Sequence, residues 1–383
     1  MKIEQQYWTA DGGWQKETAE SLDGNASLLM VFGASRLLGD PERLDEIRAR
    51  FPGAHVLGCS TSGEICGTRV RDNSLVVTAV RFERTELKLA HTVIAEAAES
   101  LEAGKRLAQA LAQQQLVHVL VLSDGLLVNG SELARGLREN LSADVAVTGG
   151  LAGDGTDFQQ TLVCADTAPC EGVVAALGFY GEHFKVGYGS LGGWDSFGPE
   201  RLITRSKGNV LYELDGHSAL ELYKKYLGEN NAGPAEALRF PLALRSGGKD
   251  SVGEGYGLVR SVASISEEDQ SMTFFGDMPE GGYARLMKAN FDRLIDGAAD
   301  AASASYEMLG SVEPDLALLV SCVGRKLVLK QRIEEEVEGV REVMGKNTVL
   351  AGFYSYGEIC PHGAITKCEL HNQTMTITTF SER

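Results

Sequence analysis

Short apolar runs and charged, periodic stretches alternate along the chain. Leu28-Leu29-Met30-Val31-Phe32-Gly33, Val117 to Leu122 and Asp315 to Cys322 are short and almost wholly apolar, which predicts strands buried on both faces. Each precedes a stretch with helical periodicity: Pro41 to Arg50, Ser131 to Asn140 and Arg332 to Met344. In the second of these, Ser131 is the expected N-cap, and Leu133, Leu137 and Leu141 share one face. A second apolar run follows each helix, at Ala54 to Leu57, Val145 to Thr148 and Thr348 to Ala351. Alternating strands are expected at Asn73 to Val80 and Asn372 to Thr379. Thr161 to Cys164, Gly172 to Phe179 and Phe184 to Gly189 read as an antiparallel meander. Strands at Arg201 to Thr204 and Val210 to Glu213 lead into a helix from about His217 to Leu227.

The pattern repeats. Gly58-Cys59-Ser60-Thr61-Ser62-Gly63-Glu64-Ile65-Cys66 is echoed by Gly352-Phe353-Tyr354-Ser355-Tyr356-Gly357-Glu358-Ile359-Cys360. Strand, helix, strand, Gly-Glu turn and strand thus recur at both ends, with a related unit between them whose turn reads Gly149 to Gly155. The expected fold is mixed α/β (α+β): two related halves of mixed sheets flanked by helices, an internal duplication. Glycines and aromatics from Gly192 to Pro199 mark the boundary, giving halves at 1–198 and 199–383.

Composition narrows the function classes. The 383 residues carry a net charge of −17, which disfavours nucleic acid and anionic membranes as partners. No apolar run is long enough to span a bilayer, and Met1 to Lys16 lacks the basic-then-apolar order of a secretory signal. Seven scattered cysteines without a C-x-x-C pair predict reduced thiols in a cytoplasmic protein.

The paired Gly-Glu turns carry the candidate chemistry. Glu64 and Glu358 are single carboxylates at strand ends. Ser60, Thr61 and Ser62 supply hydroxyls in one copy, and Tyr354, Ser355 and Tyr356 in the other. Either they line a pocket for a small polar ligand, with Arg325 holding a carboxylate, or the glutamates only satisfy local backbone donors. Cys59 has no base beside it, Gly149 to Gly155 lacks the Lys-Ser or Lys-Thr of a phosphate loop, and Asp154 and Asp157 read as turn residues. The seven histidines show no metal-binding spacing.

Taken together, these strings resemble the FIST family over nearly the whole chain. The N-terminal pattern is carried by Gly58 to Ile65, Ser123-Asp124-Gly125 with Asn129-Gly130, and Gly149 to Asp154. The C-terminal pattern is carried by Glu213 to Leu220 with Tyr223, Cys322 to Arg325, Gly352 to Pro361 and His371 to Thr374. The resemblance implies a sensory module of intracellular signal transduction rather than an enzyme. Its stand-alone bacterial members include nitric-oxide-sensing haem proteins that regulate a separate histidine kinase. Similarity to that subgroup implies haem, with His217, His183 or His371 as the axial ligand and His217 as the metal-binding choice. The alternative it implies is a sensor of a small polar metabolite such as an amino acid, without haem, with Cys59, Ser60, Glu64, Arg325, Tyr354, Tyr356 and Glu358 around the ligand.

Overall fold

A computed structural model describes residues 1–228, 237–245, 257–310, 312–362 and 366–383. The strand-and-helix reading holds along most of it. The runs Leu28–Gly33, Leu116–Ser123 and Leu316–Cys322 are strands, and Pro41–Arg50, Gly130–Asn140 and Ile333–Met344 are helices. The strands are continuously apolar because both faces are covered. Leu28, Met30 and Phe32 point into a central core, while Leu29 and Val31 pack beneath the helix Pro41–Arg50 with Leu44 and Ile47. One cap differs from expectation. Asn129, not Ser131, caps the helix Gly130–Asn140, its side chain accepting from the N–H of Ser131 and Glu132.

The duplication seen at the chain ends extends to a third copy, the middle unit. Three six-stranded sheets share one plan: an opening strand, a closing strand, a first strand and a parallel second strand, in that spatial order. The opening strands are Lys2–Thr9, Glu86–Val93 and Phe184–Leu191; the closing strands are Leu75–Arg81, Val173–Tyr180 and Met375–Glu382. Beyond each second strand the chain turns and leaves its own sheet. Glu64–Cys66 pairs with Val349–Ser355, Gly357–His362 pairs with Ala146–Leu151, and Val163–Ala165 pairs with His55–Ser60. Each unit therefore lends a strand to a neighbour, and the three exchanges close a ring.

This exchange corrects the expected meander. Val163–Ala165, Val173–Tyr180 and Phe184–Leu191 lie in three different sheets, because the first is lent and the last opens the next unit.

Backbone bonds repeat around the ring at the turns. The N–H of Ser62 donates to Tyr354 O at 2.8 Å, that of Tyr356 to Leu151 O at 3.2 Å, and that of Gly153 to Ser60 O at 2.9 Å. Gly58, Gly149 and Gly352 occupy one equivalent position. A Cβ there would lie 2.2, 1.8 and 1.9 Å from the carbonyl oxygens of Val31, Val121 and Leu319 on the paired first strands. The glycines thus serve close strand contact, not phosphate binding.

The third unit is interrupted between Leu191 and Phe291. Here an eight-stranded sheet, built around the long strand Asp195–Lys207, packs on the helix Ala219–Leu227 with its own core of Ile203, Leu211, Leu220, Leu242 and Phe274. Asp195–Lys207 runs unbroken through position 198/199. Among the described residues, no helix is long and apolar enough to cross a membrane.

Candidate functional site

Both glutamates of the Gly-Glu turns are buried and held alike. Glu64 accepts from Thr61 Oγ1 at 2.6 Å, from the Ser74 N–H at 3.2 Å and from Ser74 Oγ at 2.5 Å. Glu358 accepts from Ser355 Oγ at 2.7 Å, from the Thr374 N–H at 3.2 Å and from Thr374 Oγ1 at 3.0 Å. Each carboxyl thus ties its turn to the start of its own closing strand. The middle unit has no glutamate here. Its Asp124 accepts instead from the Gly172 N–H, at the entrance of that unit's closing strand, at 3.0 Å. Burial raises Glu64 from 4.5 to about 7 and Glu358 to about 8, against the lowering pull of these same hydrogen bonds.

The first turn opens into a polar cleft of about 570 Å³, between the loop Thr61–Glu64 and the loop 154–160 of the middle unit. Such a volume suits a small metabolite. Glu64, Thr61 and Ser62 meet the exposed Arg36 there, together with Asp72, Asp157 and the side-chain amides of Gln159 and Gln160. Ser35 Oγ donates to Gln160 O at 3.1 Å, which ties the helix Ser35–Leu38 to the loop opposite. Lys326, from the third unit, donates to Ser62 O at 2.7 Å and pairs with Asp72. The cleft therefore carries cationic and anionic groups side by side.

The other expected ligand residues lie elsewhere. Cys59 faces the central core, its thiol raised well above the usual range by burial, and Ser60 Oγ accepts from the Leu162 N–H at 2.9 Å. Neither lines the cleft. Arg325 is fully buried. It bonds Glu336 Oε2 through Nε at 3.0 Å and Nη2 at 2.7 Å, Gly192 O at 2.5 Å and Leu294 O at 2.6 Å. It cannot present a fork to a ligand carboxylate, because its fork is committed within the protein. Tyr354 is equally buried and donates to Glu336 Oε1 at 2.6 Å. Tyr356 bonds Asp154 and stacks on Phe158 with ring centroids 4.7 Å apart, so it fills the junction above Glu358 that the first copy leaves open. Of the seven expected ligand residues, only Glu64 lines the cleft.

The three candidate haem ligands are not brought together. His217 is exposed, on a two-residue strand paired with Val210–Leu214. The apolar pocket near it, lined by Phe197, Leu214, Ala219, Tyr223 and Met272, offers about 30 Å³ and does not include His217. That is water-sized and does not admit a haem. His183 Nδ1 bonds Arg383 O at 2.7 Å on a half-exposed edge, and the buried His371 bonds Cys360 O through Nε2 at 3.1 Å. None of the three faces a haem-sized apolar pocket among the described residues. The described residues also form no cluster of three or more metal-binding side chains.

The described residues thus form a ring of three strand-exchanging units, interrupted by a fourth sheet and open at the charged cleft between the first and middle units. Residues 27–217 match the FIST N domain model, and residues 219–361 match the FIST C domain model. The chain belongs to the FIST family. The join between the two models falls in the inserted sheet, between His217–Ser218 and the helix Ala219–Leu227. A search of curated proteins finds no match. A chorismatase crystal structure is similar over 99% of this chain and 98% of its own, at 10% identity and a TM-score of 0.33. That likeness is too distant to carry an argument about activity.

Proposed function

We propose that this FIST protein is a non-enzymatic sensor whose ligand, a small zwitterionic metabolite of amino-acid size, sits in the cleft between the first and middle units. One observation carries this reading: Arg36 shares the cleft with the carboxylates of Asp157 and Asp154, Asp72 being paired with Lys326, so a ligand carboxylate and a ligand ammonium each meet a matching charge. The hydroxyls and amides of Thr61, Ser62, Gln159 and Gln160 add neutral hydrogen-bonding partners. Glu64 lies at the cleft as a carboxyl that burial keeps protonated up to about pH 7, but its hydrogen bonds are those of Glu358, which lines no such cleft among the described residues. This favours a structural role over a catalytic one. Signal output passes to a separate protein, a histidine kinase being the expected kind. A cytoplasmic setting agrees with the free cysteines, of which only Cys170 is exposed.

Thermal melting of the full chain with each of the twenty common amino acids tests the assignment. A ligand that binds only the folded form raises the midpoint in proportion to the logarithm of its concentration. One or a few amino acids should do so, and uniformly flat curves would sink the reading. Haem-based sensing of nitric oxide is separated from it by adding haemin. A Soret band that disappears in His217→Ala, His183→Ala or His371→Ala would favour the haem reading instead.

A further inference from the structure

The loop 154–160 stands between two cavities. Asp154, Gly155, Thr156, Asp157, Gln159 and Gln160 line the charged cleft. Phe158 faces the other way, into a groove of about 280 Å³ between residues 125–129 and the inserted sheet, where Ala263, Ser264, Thr273 and Phe275 form the far side. Among the described residues that line this second groove, none is charged.

Phe158 is held in its place against its own backbone preference. Its φ is 51°, in the left-handed region that a bulky side chain rarely adopts. Two sets of contacts hold it. The Asp154 carboxylate accepts from the N–H of Phe158 at 2.9 Å, of Gln159 at 2.7 Å and of Gln160 at 2.8 Å, and from the Tyr356 hydroxyl. The Phe158 ring stacks on Tyr356 and meets Phe275, which directly follows the strand Ser271–Phe274 of the inserted sheet, at a centroid distance of 6.3 Å; Tyr356 and Phe275 are themselves 6.0 Å apart. One carboxylate on the cleft side thus fixes the conformation of a ring on the groove side.

We propose that the loop 154–160 is a shared wall that transmits occupancy of the charged cleft to the groove at the inserted sheet. The proposal rests on the reading that the cleft takes a ligand bearing an ammonium. That ammonium competes with three backbone N–H groups and a phenol for the two oxygens of Asp154. Its binding frees Phe158 to leave the left-handed conformation, which withdraws the ring from Phe275 and reshapes the groove. Linkage makes the effect reciprocal: whatever binds the groove and fixes Phe275 weakens the hold of the cleft on an ammonium by the same factor.

Hydrogen exchange on the full chain tests the wall without any ligand. Asp154→Asn keeps the side chain's shape and removes its charge. Amides of 155–160 should exchange faster, and so should those of 262–275 across the ring cluster, by about tenfold if opening of the wall governs both. Phe275→Ala should produce the reverse transmission, speeding 155–160. Amides of Leu28–Gly33 are the reference; if they accelerate equally, the variant has lost global stability. Tyr356→Phe, which removes only the phenol's bond to Asp154, then takes its place with a smaller expected effect in the same two segments. Acceleration confined to the mutated side in both directions would overturn the proposal. The amino-acid melting screen fails independently: flat melting curves with reciprocal exchange would remove the ligand assignment and leave the wall standing.

Discussion

At the first Gly-Glu turn the side chain two residues before the glutamate is Ser62; at the last it is Tyr356. Around these positions nearly everything else is shared. Both backbone N–H groups reach the neighbouring unit, and both glutamates take a hydroxyl from three residues before and an N–H and hydroxyl from the residue that leads into the closing strand. Serine leaves the junction open to a charged cleft, whereas tyrosine closes it with a three-ring cluster. The conserved-looking part of the repeat is therefore scaffold, and the position that differs decides whether a junction can hold a ligand. Two identical turns argue for shared structure; function is sought where the copies diverge.

The sealed turn should be the more costly to disturb. Arg325, Glu336 and Tyr354 form a network inaccessible to water beneath it, joined to the backbone at Gly192 and Leu294, where the inserted sheet leaves and rejoins the ring. Arg325→Ala strands the Glu336 charge in the interior and should cost about 3–5 kcal/mol in urea unfolding. Ser62→Ala at the open turn removes only a hydroxyl bonded to Gly155 and should cost about 1 kcal/mol. Equal costs would mean that the two junctions are equally structural and that the comparison fails.

Protonation offers a second contrast. Glu64 moves from the usual 4.5 to about 7 on folding, and Glu358 to about 8, both chiefly through burial. The folded chain therefore binds more protons than the unfolded chain between these limits. The stability that the neutral carboxyls supply is fully present below about pH 4.5 and is lost as the pH rises through 7 for Glu64 and through 8 for Glu358. At 1.36 kcal/mol per unit this is on the order of 3 kcal/mol for Glu64 and somewhat more for Glu358. Glu64→Gln should flatten the pH dependence of the urea midpoint up to about pH 7, and Glu358→Gln should flatten it to about pH 8. Unchanged slopes in both variants would show the carboxyls ionised throughout, held so by their hydroxyl and backbone donors.

Much of the scaffold was legible in the sequence because it is local. Apolar runs such as Leu28–Gly33, buried on both faces, and periodic stretches such as Pro41–Arg50 carry their own structure. The exchange of strands was not legible, because nothing in Glu64-Ile65-Cys66 names Val349–Ser355 as its partner, far along the chain. The middle copy could be read as a related unit from its strands and glycines, but not the task of Asp124, because Asp154-Gly155 stands where the other copies have Gly-Glu and the carboxylate comes from another loop. In the site, Glu64 could be found from the repeat. Arg36 could not, since it sits on the four-residue helix Ser35–Leu38, too short to show periodicity, and acquires meaning only from the loop 154–160 across the cleft. Arg325 misled for the opposite reason. Its chemistry suits a carboxylate, and the carboxylate it holds is the protein's own Glu336.

Arg36 gives the smallest effect on folding and the most direct reading of the open junction. Its side chain is exposed and its helix is short, so Arg36→Ala should leave the urea midpoint within about 0.5 kcal/mol of the parent. Binding should respond quite differently. If the guanidinium holds a ligand carboxylate, its removal costs a charge-assisted pair, and any amino acid that raises the melting midpoint of the parent should lose most of that shift in the variant. Arg36→Lys keeps the charge but not the planar fork, and should retain only part of the shift. A full shift in Arg36→Ala would place the carboxylate elsewhere in the cleft and leave charge pairing at the open turn without its cation.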